Sequence, residues 1–185
     1  MINIPGKYSK YIRLMIWMFK LVGFLLIICS GTIGGYAYAV KLSDRLTFIK
    51  KYMEFIMFVE NEIKYNCSDI SEILNKFYSN GIFYYYICKC KEYVDSGYIF
   101  PDAWEKSFKG ISKDIGVLND QELSIIDFGL GIGNSDTQSQ VLHCKYYYET
   151  IKTYFNNLLE EKKVKSKLYT VLGTCFAAAI ALLFI

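Results

Sequence analysis

The sequence is poor both in helix breakers and in the residues that do most catalytic chemistry. Among 185 residues there are two prolines, Pro5 and Pro101, two arginines, Arg13 and Arg45, and one histidine, His143. So little proline leaves long helices free to form. A single histidine excludes the HExxH type of zinc site, and no glycine-flanked serine elbow occurs. Between residues 41 and 167, 17 Lys/Arg nearly balance 18 Asp/Glu. No basic block is present there, so no nucleic-acid partner is expected. The six cysteines form no regular disulfide framework. Cys29 and Cys175 sit in apolar runs, and Cys67, Cys88, Cys90 and Cys144 are irregularly spaced. Free thiols in a reducing compartment are the simpler reading.

What is abundant is apolar surface, 53% of residues, and it is unevenly spread. Residues 21–40 (LVGFLLIICSGTIGGYAYAV) and 168–185 (LYTVLGTCFAAAIALLFI) carry no charge. About 20 residues at 1.5 Å rise span a hydrocarbon core of roughly 30 Å, so both runs read as membrane helices, the second a short one. The expected layout is an N-terminal tail over 1–17, a membrane helix over 18–40, a helical bundle over 41–167 and a second membrane helix over 168–185. Lys41, Arg45, Lys50 and Lys51 follow the first run, and Lys162, Lys163, Lys165 and Lys167 precede the second. They outweigh Lys7, Lys10, Arg13 and Lys20, which places the middle segment in the cytoplasm. A rival reading takes the first run as a secretory signal with cleavage after Ala37-Tyr38-Ala39. The length of the run and the helix that follows it count against that.

The middle segment has helical periodicity with short polar breaks. Leu42, Ile49, Ile56 and Ile63 recur every seven residues, with Leu46 and Met53 between them, and Glu60 breaks the stripe. Ser68 and Asp69 read as caps of a helix through Tyr78, closed by Asn80-Gly81. A third helix spans Ile82 to about Val94. Pro101 opens a fourth through Lys113. Asn119 with Glu122, and Ser135 with Gln138, resemble capping boxes for two more. The last has seams at Val141, Tyr148, Phe155 and at Cys144, Ile151, Leu158, and flows into the second membrane run. The fold class is therefore all-α: two transmembrane helices flanking a cytoplasmic bundle, the first and last helices continuous with the spans. The stripes pack on each other in an antiparallel bundle, or one is a partner-binding seam. Gly31, Gly35, Ala39 and Gly173, Ala177, Ala181 recur every four residues, a spacing that lets membrane helices approach closely, in self-pairing or against a neighbour.

Candidate chemistry is thin. Cys88, Cys90, His143 and Cys144 could form a zinc site only without the usual C-x2-C spacing, so no metal and no catalytic residue is expected. His143 reads as a surface or boundary residue. Gly129-Leu130-Gly131-Ile132-Gly133 follows a helix rather than a strand and lacks the Gly-Lys-Ser/Thr of a phosphate loop. Left-handed glycines at a helix end explain it better, and no cofactor is expected. Glu60, on a packed face, requires either a seam open to water or a partner on the returning helix.

One pattern goes further. Phe128-Gly129-x-x-Ile132-Gly133-x-Ser135-Asp136-x-x-x-Gln140 resembles the FGxxLGxSDxxxQ stretch of the stage III sporulation protein AB family. Glu60-x-Glu62-Ile63-x-Tyr65, Ala103-Trp104-Glu105, Leu172-Gly173 and the start Met18-Phe19-Lys20-Leu21-Val22-Gly23 resemble it in the same order. Ile132 replaces a leucine, Leu130 stands where an acid is usual, and a proline before the second cytoplasmic helix is missing. Residues 1–17 have no counterpart, leaving Met1 and Met18 both open as the start. The resemblance implies a non-enzymatic membrane protein of an endospore former, in the mother-cell membrane around the forespore. It would contribute to a channel or secretion-like complex needed for late forespore gene expression. The family is similar to the platform protein of type II secretion and type IV pilus machines. That implies other stage III membrane proteins and a secretion-type ATPase as partners, and leaves a homo-oligomer open. The competing classes are a metal-binding membrane protein and an exported sensor.

Overall fold

The structure is a computed structural model that describes the backbone of residues 6–133 and 135–184. Side chains are described for residue 11, residues 15–19, 22–23, 40–133, 135–165 and residue 168. The described residues are all helical or in connecting turns. The elements are α1 (Gly6–Asn61), a wide π-type turn (Glu62–Asn66), α2 (Ile70–Lys76), α3 (Ile82–Asp95), α4 (Phe100–Phe108), α5 (Ile111–Asp114), α6 (Asn119–Gly131) and α7 (Thr137–Phe184). Two compact units are distinguishable, Met1–Val40 and Lys41–Ile185.

In the first unit the described side chains, Tyr11, Met15, Ile16, Trp17, Met18, Phe19, Val22 and Val40, are all exposed. Among the described residues no helix is long and apolar enough to cross a membrane. The two uncharged runs fall almost wholly outside the described side chains. The same is true of the small-residue series Gly31, Gly35, Ala39 and Gly173, Ala177, Ala181.

The second unit is a bundle around an aromatic core. The expected stripe of Leu42, Leu46, Ile49 and Ile56 on α1, and of Ile63 in the π-type turn, is buried, and Met53 half-buried. The buried face is wider than that stripe, because Phe48, Tyr52, Phe55 and Val59 are buried as well. A helix that packs against several others buries a broad arc rather than a two-helix seam. On α7 the Cys144, Ile151, Leu158 row is buried, while Tyr148 and Phe155 of the neighbouring row are half-buried. α7 begins at the end of the bundle where α1 stops, against the π-type turn.

Trp104 on α4 occupies the middle of this core, fully buried. It stacks on Phe55 with ring centroids 5.5 Å apart and lies 4.2 Å from Phe108 and 6.0 Å from Phe128. Its indole N–H donates to the Ile125 carbonyl on α6 at 2.8 Å. Burying the indole while pairing its one polar atom keeps the full hydrophobic gain without an orphaned donor.

Several helix ends differ from the sequence reading. Pro101 is in the first turn of α4, but the helix stops at Phe108, because Gly110 takes φ +94° and starts the separate α5. α2 ends at Lys76, with Phe77 extended and its ring buried against Phe55 at 4.9 Å. Its cap is Asp69, whose carboxylate accepts from the Glu72 N–H at 2.7 Å; Ser68 is engaged elsewhere. For α6, the side chain that reaches back is Gln121, accepting from the Leu118 N–H at 3.1 Å. Glu122 instead accepts from the N–H groups of Gly110, at 2.7 Å, and Ser112, at 2.9 Å, and so caps α5 from a neighbouring helix.

Candidate functional site

The residues singled out by motif gather mainly in two corners, the turn after α1 and the turn between α6 and α7. The first begins where α1 loosens into the π-type turn and Cys67 adopts φ +49°, with its N–H bonded to the Glu62 carbonyl. That reversal folds α2 back against the Glu62 side chain. Its carboxylate accepts from Asn66 Nδ2 at 2.9 Å, Ser68 Oγ at 2.9 Å and Lys76 Nζ at 3.0 Å, and its side chain is 12% exposed. The Lys76 ammonium and the Ser68 hydroxyl hold its carboxyl below the usual carboxylate range. Glu62 thus ties α1 to α2. Tyr65 is 70% exposed, with the Lys64 ammonium 4.8 Å from its ring centroid.

Glu60, near the end of α1, is half-buried, and its side chain makes no hydrogen bond among the described residues. It lies beside Cys144 of α7, whose thiol burial pushes up to about 12, with Glu60 adding to the effect. Of the two expectations for Glu60, the seam open to water fits this geometry.

The second corner carries Phe128, Gly129, Gly133, Asp136 and Gln140. Phe128 is buried and joins the aromatic core through Tyr52 at 5.8 Å and Trp104. A Cβ on Gly129 would overlap the Trp104 ring, so α6 meets α4 at a point where only glycine fits. A Cβ on Gly131 would overlap His143 in the same way. Of these three glycines only Gly133 has a positive φ, +87°. The expectation of several left-handed glycines is therefore corrected: one glycine turns the chain, and two others let rings approach.

Asp136 caps α7. One carboxylate oxygen accepts from the N–H groups of Gln138, at 3.0 Å, and Ser139, at 3.1 Å, and the other from Ser139 Oγ at 2.6 Å. The Ser139 hydroxyl and N–H hold its carboxyl below the usual range. The cap is thus Asp136 rather than Ser135 with Gln138. Gln140 spans the turn, accepting from the Gly133 N–H at 3.3 Å and donating to the Ser135 carbonyl at 2.6 Å.

Of the two expectations for His143, surface or boundary, the structure shows the boundary. The side chain is half-buried, its Nε2 lies 2.9 Å from the Phe128 carbonyl, and its ring stacks on Phe128 at 5.6 Å and meets Tyr147 at 4.7 Å. Among the described residues no three His, Cys, Asp or Glu side chains converge as metal ligands, so Cys88, Cys90, His143 and Cys144 are not brought together. Cys90 is buried, its thiol pushed up to about 12 by that burial against an opposing hydrogen bond with Ser107.

The arrangement defines a helical-bundle protein of structural type, in which the motif's polar side chains cap helices and tie corners. The chain belongs to the stage III sporulation protein AB family, whose sequence profile matches residues 20–185. Its role is accordingly in stage III of sporulation, in a family not known for enzymes. No curated protein and no solved structure matches the chain.

Proposed function

We propose that the protein is a non-enzymatic membrane component of the channel or secretion-like complex linking mother cell and forespore. In this reading residues 18–40 and 168–185 span the mother-cell membrane around the forespore, and the bundle of residues 41–167 faces the mother-cell cytoplasm as a platform for a secretion-type ATPase. Other stage III membrane proteins are its neighbours in the bilayer. The observation that carries the reading is where the uncharged runs fall. One lies within α1 and the other at the end of α7, so each long helix combines a lipid-compatible run with a share of the bundle core. The positive residues flanking the bundle side of both runs support the same orientation. A rigid scaffold that receives force from a motor needs packed helices and tied corners, which is what the motif residues supply.

Thiol labelling tests the placement. Cys67 is exposed in the bundle. A membrane-impermeant maleimide is expected to label it after permeabilisation and not in intact cells, with Cys67→Ser as the blank. Labelling from outside would overturn the topology. For the function, deletion of the gene is expected to leave engulfment intact and block late forespore transcription; normal spores would sink it.

A further inference from the structure

The outer face of the α6–α7 pair points away from the core. On α6, opposite the buried Gln121, Ile125 and Phe128, stand Leu123, 61% exposed, and Leu130, 39% exposed, one heptad apart. On α7, opposite the buried Cys144 and Ile151, stand Leu142 and Tyr146, 60% and 66% exposed, one turn apart. Isolated exposed leucines are ordinary, but Leu130 stands level with Leu142 and Tyr146 across the pair, since Phe128 meets His143 and Tyr147. Leu123 extends the apolar row about two turns along α6. Between these residues of the two helices, on the α7 side of α6, run the exposed Asp120 and Asp127. They border Tyr154 and Tyr147, whose hydroxyls are raised by burial and then by these two carboxylates. Neither aspartate forms an ion pair among the described residues.

We propose that this face is the docking surface for a helix of a partner protein, one with an apolar stripe interrupted by Lys or Arg at about a seven-residue spacing. The proposal rests on the platform reading and names the partner-facing surface within it. Three observations select this occupant. The acidic row repels the anionic headgroups of a lipid surface. A two-fold contact with a second copy sets the same carboxylates against each other. Position along α7 also matters: from Leu142 to the start of the apolar run at residue 168 is 168 − 142 = 26 residues, about 39 Å of helix, which holds the face well away from that run.

The test is p-benzoylphenylalanine in place of Leu123 or Leu142 in sporulating cells, with Glu92 on α3 as the control position. Both face positions are expected to cross-link to one protein, through a peptide with apolar residues and Lys or Arg in helical spacing, and the control to none. Cross-links to lipid alone, to a second copy of the chain, or to nothing would overturn the proposal. Asp120→Lys with Asp127→Lys supplies a second readout, in cells where melting in detergent shows the variant folded. Late forespore transcription is expected to fall about tenfold or more; unchanged transcription overturns the docking surface. If deleting the gene blocks transcription and the face variant does not, the docking surface fails and the platform reading stands. If deletion itself has no effect, the platform reading fails first.

Discussion

Gly129 and Gly133 stand four residues apart and meet opposite needs. Gly129 is buried where a methyl group would overlap Trp104, whereas Gly133 is exposed, with open space around it and φ +87°. Gly129→Ala is therefore expected to cost about 1–3 kcal/mol by overpacking, read as a lower melting temperature in detergent. Gly133→Val is expected to cost at least about 1 kcal/mol through backbone strain alone, while Gly133→Asn, which tolerates positive φ, costs less. A melting order with Asn no better than Val would contradict that. Glu62 adds a pH dependence. Its carboxyl is held below the ordinary value of 4.5 in the folded chain, so its contribution is present above that value and lost as pH falls through the lower folded one. Melting of the native chain and of Glu62→Gln is expected to differ near neutrality and converge in acid. The glycine string was legible as a helix end, but which glycine served which need was not, because Trp104 lies 25 residues earlier and only packing brings it close.

At the scale of elements, the stripes and breaks were legible and the caps were displaced. Capping boxes at Asn119 and Ser135 place helix starts within a residue or two of where α6 and α7 begin, yet the groups that cap are Gln121 and Asp136. Glu122 shows why. The box forms one residue earlier than expected, and the Glu122 carboxylate is drawn instead to the free N–H groups of Gly110 and Ser112, which lie at the start of another helix and have no signature in the local sequence. The break after Phe108 was missed for a similar reason, since glycine inside an amphipathic stretch reads as tolerable until its φ is known. Asp136→Ala is expected to fray the first turn of α7. Amide hydrogen exchange at Gln138 and Ser139 should quicken more than at Ile151, and uniform exchange along α7 would contradict the assignment.

For the whole molecule, class and family were legible because the motif residues keep their order along the chain, and the placing of the corners was not. α7 runs unbroken from Thr137 to Phe184, 48 residues or about 72 Å, so the bundle and the terminal apolar run share one helical phase. Each inserted residue turns everything beyond it by about 100°. One alanine added after Glu160 would rotate the apolar run relative to the core row of Cys144, Ile151 and Leu158. Seven would bring it back to within about 20° while lengthening the rod by about 10 Å. Sporulation is expected to fail with the single insertion and to recover with the heptad. Equal tolerance of both would mean that the two ends of α7 are free to swivel independently.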